Sequence, residues 1–340
     1  MTTLLNFLNE HDYLNDQHIL QLDLAAFNRV ATLPIEKYRD ESNLLLNALV
    51  NMLNDDSGVN DLMLPSDFNL INQMVESQRY ADVEVIDIIS LADDIKLINF
   101  KISDHANVIV VGSHAGTLLS WQKDLQFLTG DFKSTILKIN TYIEKNIEKN
   151  KQFILTGYSV GASLLINSLF NAKKLENVQV VLFDSPGVKT NKNKIQLSVI
   201  ELSPALSPFV MIGEHMVPQI SIKSSAPGFW QHDLYSWQAD RNGDFLQAVG
   251  FVPQKIDNKR FSKFIPEKTS QENLKLSLLK YSELFEKLPF KEINELMKNW
   301  NNFLMTTKKI TQEDNIVVKT IIKRINQQLF VNVAENIQHK

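Results

Sequence analysis

The chain has no cysteine, which removes disulfides, thiolate metal sites and cysteine nucleophiles together. Any nucleophile must be a hydroxyl, an amine or a carboxylate. It also has no excess of positive charge: 35 Lys and Arg against 39 Asp and Glu leave a net charge of -4. That balance provides no electrostatic footprint for nucleic acid. No apolar stretch approaches the roughly 20 residues that span a bilayer. The opening stretch, MTTLLNFLNEHDYLND, carries no basic leader and only a brief apolar run broken by Asn and Glu. Neither a signal peptide nor a transmembrane segment is expected, and a cytoplasmic protein is. Internal repeats and low-complexity tracts are absent too. What remains is the composition of an ordinary globular protein, 340 residues with 44% hydrophobic and 22% charged, enough for a sizeable core in one large domain or two smaller ones.

The periodicity changes along the chain. Residues 16–30 place Ile19, Leu22, Ala26 and Val30 on one helical face, and a second helical pattern (Leu45, Leu49, Met52, Leu53) stops at the loop Asn54-Asp55-Asp56-Ser57-Gly58. Strands begin in the segment 83–111, and the continuous run Val108-Ile109-Val110-Val111 has the character of a central strand covered on both faces. From there the order is strand (107–111), helices (about 117–128, then 132–147), strand (152–156), helix (160–171) and strand (178–183), with further strands at 197–202 and 219–223. Such alternation implies right-handed crossovers and an α/β fold with a mostly parallel, doubly wound sheet. Beyond about residue 255 the strand signal stops. Capping patterns at Thr269-Ser270-Gln271-Glu272 and Thr311-Gln312-Glu313-Asp314 open helices there, so residues 1–255 are expected as the α/β domain and 256–340 as a helical appendage. That appendage would pack on the core or on a second copy of the chain, which makes it the expected homo-oligomer surface.

The chemistry concentrates at Gly157-Tyr158-Ser159-Val160-Gly161, between a strand and a helix. A serine on so cramped a turn has its hydroxyl lifted out of the sheet, next to the first free N–H groups of the helix. Ser159 is therefore the candidate nucleophile, with the Val160 N–H as half of an oxyanion site. The other half is expected from the loop Gly112-Ser113-His114-Ala115-Gly116, through Ser113 and His114. A serine hydroxyl needs a base, and the base needs an orienting carboxylate. His232, on a turn-rich loop after the last strand, is the candidate base, with His215 the competitor. Asp184, in the turn Phe183-Asp184-Ser185-Pro186-Gly187, is the candidate acid; Glu201 and Glu214 compete, and Asp233 lies too close in sequence to His232 to orient it.

Several separated pieces resemble one family. Gln231-His232-Asp233 with Trp237 matches the QHD-x-x-x-W signature of a bacterial lipase-like α/β-hydrolase family related to fungal-type lipases. The 183–187 turn is similar to that family's aspartate-x-Pro-Gly turn, Gly157 to Gly161 to its nucleophile elbow, and Trp121-Gln122-Lys123-Asp124 to its Trp-x-x-Asp element. Leu33-Pro34-Ile35-Glu36 also fits, and the likeness covers roughly residues 12–250. It implies an α/β-hydrolase fold and serine hydrolysis of an acyl or lipid ester, with Ser159, His232 and Asp184 as the triad and no metal or organic cofactor. Two positions depart from the pattern. The family loop reads Phe-Arg-Gly-Thr where this chain has Val111-Gly112-Ser113-His114, and the fungal-type acid position offers Ser207, which favours Asp184. The same residues would serve acyl transfer to another acceptor, and a hydrolase fold that has become a binding scaffold is the remaining reading.

Overall fold

The run Val108-Ile109-Val110-Val111 lies in the middle of the sheet, and all four side chains are buried, as a strand covered on both faces requires. The computed structural model describes residues 19–55, 65–92, 95–113, 132–148, 150–170, 177–186, 197–204, 219–225 and 232–248, together with Thr3, Leu4, Leu14, Ile195, His215 and Val217. Among them the helices are α1 (Gln21–Val30), α2 (Leu45–Leu53), α3 (Pro65–Ser77), α4 (Lys133–Asn146) and α5 (Val160–Ser168). The strands are β1 (Glu84–Ala92), β2 (Ile95–Lys101), β3 (Ala106–Ser113), β4 (Gln152–Tyr158), β5 (Val178–Phe183), β6 (Ser198–Pro204) and β7 (Gln219–Ile222).

The seven strands make one sheet whose spatial order follows the chain, β1 to β7. β1, β2 and β3 pair antiparallel, and β3 through β7 pair parallel. The sheet alternates its side chains between two cores. Ile98, Phe100, Val108, Val110, Ile154, Val181 and Phe183 face one, which the apolar sides of α1, α2 and α3 complete. Leu97, Ile109, Val111, Leu155, Val180 and Leu182 face the other, with α4 and α5. The architecture is the expected α/β one, a mostly parallel sheet with helices on both faces. The helical appendage expected over 256–340, the boundary near 255, and the helix expected over about 117–128 lie outside the described residues. Among the described residues no helix is long and apolar enough to cross a membrane.

Helix α1 fixes the upper part of this assembly. Its Asn28 amide donates to Thr156 Oγ1 at 2.8 Å, tying the helix to the carboxyl end of β4. At its end, Ala31 presses so closely on Gly112 that a Cβ there would stand 2.7 Å from the Ala31 carbonyl oxygen, a contact only glycine avoids. Two buried arginine–aspartate–tyrosine clusters hold the neighbouring segments. In one, Arg79 reaches Asp23 at 2.8 and 2.7 Å and Tyr80 donates to the same carboxylate at 2.9 Å. In the other, Arg29 meets Asp67 of α3 at 2.6 Å. Such pairs add little net stability over apolar packing, but removing one partner strands a buried charge.

Candidate active site

Three strand ends converge on the same place. β4 ends at Tyr158, and the chain turns into α5 through Ser159, whose φ of 55° and ψ of -127° lie in a region that non-glycine residues rarely occupy. The turn is held from both sides. Ser159 N–H donates to the Phe183 carbonyl at 2.9 Å, and a side chain at Gly157 would stand 2.7 Å from the Ala162 nitrogen. A side chain at Gly161 would collide with the Val111 carbonyl oxygen. Glycine two before and two after the serine is thus a packing requirement of the strand-to-helix junction. Ser159 is largely buried, and Val160 opens α5 with its N–H at the amino end of the helix.

β5 ends one residue before Asp184, which has the second strained backbone of the site, φ 44°. Its N–H donates to the Leu202 carbonyl at 2.8 Å, prolonging the β5–β6 ladder past the strand end. The following turn is pinned to the first turn of α5, where the Ser163 hydroxyl bonds the Pro186 carbonyl and lies 3.0 Å from the Ser185 hydroxyl. The carboxylate is fully buried, and its Oδ2 stands 2.6 Å from His232 Nδ1. An ionised carboxylate only accepts, so in this bond Nδ1 carries the proton and Nε2 is left as the basic nitrogen.

His232 arrives on the loop after β7. Its ring stacks on that of Tyr158, centroids 4.8 Å apart and planes 21° from parallel, and the Tyr158 hydroxyl donates to the His232 carbonyl. Tyr158 immediately precedes Ser159, so the imidazole is packed against the elbow itself. Further along, the 3₁₀ turn Leu234–Ser236 is capped by Asp233, whose carboxylate accepts from the Tyr235 N–H at 3.1 Å. Trp237, wholly buried, then packs on Phe183 at 5.9 Å and on Phe245 at 5.1 Å. The five-residue spacing from His232 to Trp237 therefore anchors both on adjacent residues, Asp184 and Phe183.

The other candidate residues are only partly among the described ones. Ser113 ends β3, in register with Ile95 of β2. His114 and Glu214 lie outside the described residues, as do His11, His18 and His339. His105 sits in the turn between β2 and β3, its carbonyl accepting from the Gln152 N–H at 2.8 Å. The family model of the Mbeg1-like family matches residues 74–282, more than half of the chain.

The chain belongs to the Mbeg1-like family.

No curated protein matches it. Among solved structures, a deletion mutant of Rhizomucor miehei lipase in complex with its propeptide is similar at 13% identity and a TM-score of 0.27, over 44% of this chain and 59% of that one. M37 lipase is similar at 12% identity and a TM-score of 0.31, over 54% of this chain and 68% of that one. This Mbeg1-like protein thus spans under two thirds of the Rhizomucor lipase chain. The matched segment contains all seven strands, Ser159, Asp184 and His232, and begins after α1, α2 and most of α3.

A second histidine–carboxylate pair lies one strand away. Glu201 of β6 accepts from the Gln219 amide at 2.9 Å and stands 2.9 Å from His215 Nδ1. Because Leu202 faces the α1 side, Glu201 points to the opposite, α4–α5 side of the sheet. Ser203 and Ser221 occupy the next paired positions on that face, both buried. Residues that sequence reasoning did not single out adjoin the histidine loop: Tyr158 against the His232 ring, and Asp67 and Arg29 against Tyr235. Burial works against a charge on Arg29, but the Asp67 carboxylate, together with the Tyr235 and Tyr158 phenols, holds the guanidinium well above its usual value. Tyr235 keeps some ring exposure, yet its hydroxyl end is enclosed; that burial, and then the Asp67 carboxylate, push the phenol well above its ordinary range. The Tyr235 O–H therefore remains a donor. Among the described residues no group of three or more histidine and acidic side chains is placed to hold a metal.

Proposed function

We propose that this Mbeg1-like protein is a serine hydrolase that cleaves a carboxylic ester, of an acyl or lipid kind, through an acyl-enzyme. The observation that carries the reading is the His232 imidazole, bonded to buried Asp184 at 2.6 Å and stacked on the residue next to a strained Ser159. Ser159 Oγ attacks the ester carbonyl carbon while His232 Nε2 takes its proton. Asp184 keeps the other ring nitrogen protonated and stabilises the imidazolium that forms. The Val160 N–H, with the 113–114 loop, receives the oxyanion. The imidazolium returns its proton to the leaving alcohol, and water repeats the sequence to release the acid. None of these steps needs a metal or organic cofactor.

Labelling by a fluorophosphonate probe tests the nucleophile. The wild type should be labelled and Ser159→Ala should not; undiminished labelling of that variant would remove Ser159 from the mechanism. Hydrolysis of short- and medium-chain p-nitrophenyl esters tests the reaction class, and a fully labelled protein that turns over none of them would point instead to acyl transfer.

A further inference from the structure

Tyr235 is three residues from His232 and packs against the core on the α1 side of the sheet. Its hydroxyl donates to Asp67 Oδ1 at 2.6 Å, and the same oxygen receives Arg29 Nη2 at 2.6 Å and Nε at 3.1 Å. The guanidinium carbon lies 5.4 Å from the centre of the Tyr235 ring, within reach of a cation–π attraction. Three donors thus converge on one buried carboxylate oxygen, joining α1 and the histidine loop to α3. Both charged partners are more than nine-tenths buried. Neither Arg29 nor Asp67 lies in the segment that the family model matches.

We propose that α1 and α3 form a positioning element for the base: the Arg29–Asp67 pair grips Tyr235 and so sets where the His232 imidazole stands between Asp184 and Ser159. This rests on the hydrolase reading above. Among the contacts that hold the loop, two differ in kind. Tyr158 fixes the His232 backbone from the elbow, through its bond to the carbonyl. The cluster fixes the middle residue of the 3₁₀ turn through its phenol. A charge-assisted bond at that distance from the ring resists rotation of the whole turn, which ring stacking alone does not. Arg29 and Asp67 touch no reacting atom; they act through Tyr235.

The protein contains its own control. Tyr80 donates to Asp23 at 2.9 Å beside Arg79, the same three residue types with the arginine spread over both carboxylate oxygens, and with no bond to the 232–237 loop. Tyr235→Phe and Tyr80→Phe each delete one phenol O–H and keep the ring. In the full-length chain, Tyr235→Phe should slow fluorophosphonate labelling of Ser159 by about 10- to 100-fold, since a displacement approaching 1 Å is worth that much. Tyr80→Phe should leave the labelling rate unchanged. The far-downfield imidazole proton of the His232–Asp184 bond, identified by its loss in Asp184→Ala, should broaden or disappear in Tyr235→Phe and persist in Tyr80→Phe. Asp67→Asn should behave as Tyr235→Phe does. Equal labelling and equal spectra in the two tyrosine variants would overturn the proposal while leaving the hydrolase reading intact. A wild type that is never labelled, but whose His232 proton is lost in Tyr235→Phe and kept in Tyr80→Phe, would support the positioning element and sink the hydrolase reading.

Discussion

Gly157 permits a prediction in which two effects of opposite sign compete. It lies near the end of a strand, where alanine should gain about 0.5–1 kcal/mol by losing less backbone freedom on folding. Packing opposes that gain. A Cβ at 157 would stand 2.7 Å from the Ala162 nitrogen, 2.8 Å from the Gly161 carbonyl carbon and 2.9 Å from the Ala162 Cα, all backbone atoms of α5. Comfortable carbon–carbon contact is about 3.5–4.0 Å, so roughly 0.7–1 Å of separation is required. β4 cannot supply it, because Gly157 is paired with Val111 on one side and Leu182 on the other. The movement falls on α5, whose opposite side is held by Gly161 against Val111. Overpacking of this kind costs about 1–3 kcal/mol, and with rigid backbone on both sides the upper half of that range applies. The net effect of Gly157→Ala is then a loss of about 1–2.5 kcal/mol, or roughly 0.5–1.2 M in urea midpoint at an m-value near 2 kcal/mol/M. Tryptophan fluorescence, to which buried Trp237 contributes, would report it. The same shift carries the Val160 N–H away from Ser159, so fluorophosphonate labelling should fall by about 100-fold. A variant with an unchanged or higher midpoint and wild-type labelling would refute the claim that glycine is required here by the approach of α5.

Two further outcomes are expected. Asp184→Asn keeps the size of the side chain but not its demand for a proton on Nδ1, so turnover should drop by about four orders of magnitude with the fold intact; near wild-type turnover would transfer the role of acid to Glu201 or Glu214. Tyr142, pushed by burial from 10.0 to about 12, binds its proton more tightly folded than unfolded. Its contribution is therefore complete below the unfolded value and is lost as pH rises from 10.0 to about 12. The urea midpoint should fall across that window, less steeply in Tyr142→Phe, and a midpoint that rises there would contradict the assignment.

The parts of this fold that could be read in advance are those whose cause is local. Val108 to Val111 announces a strand covered on both faces because no other element tolerates four consecutive β-branched residues so easily, and Gly157 to Gly161 announces a junction because its glycines answer to neighbouring backbone. The expected strand at 178–183 and helix at 45–53 match β5 and α2 for the same reason. Helix α3 is another matter. Its Leu70, Ile71 and Met74 face the core, but the helix also buries Asp67, and a periodicity of apolar residues counts a buried carboxylate as surface. Its partner Arg29, 38 positions earlier, leaves no trace in either local pattern. Around the site, Ser159, His232 and Asp184 belong to recognisable turns. Tyr158 stands in a position that the elbow motif leaves open, so only the stacking on His232 reveals it.

The order of the strands has a consequence for how the molecule is made. Neighbours in the sheet are neighbours in the chain, and α4 and α5, which link β3 to β4 and β4 to β5, settle against one face. The opposite face is roofed by α1, α2 and α3, which leave the ribosome before any strand exists. Translation at about 5–20 residues per second needs on the order of ten to thirty seconds to proceed from Val30 to Phe183. Phe27 can meet Phe100 early in that interval, but the far end of the covered face, at Val181 and Phe183, is completed only at its close.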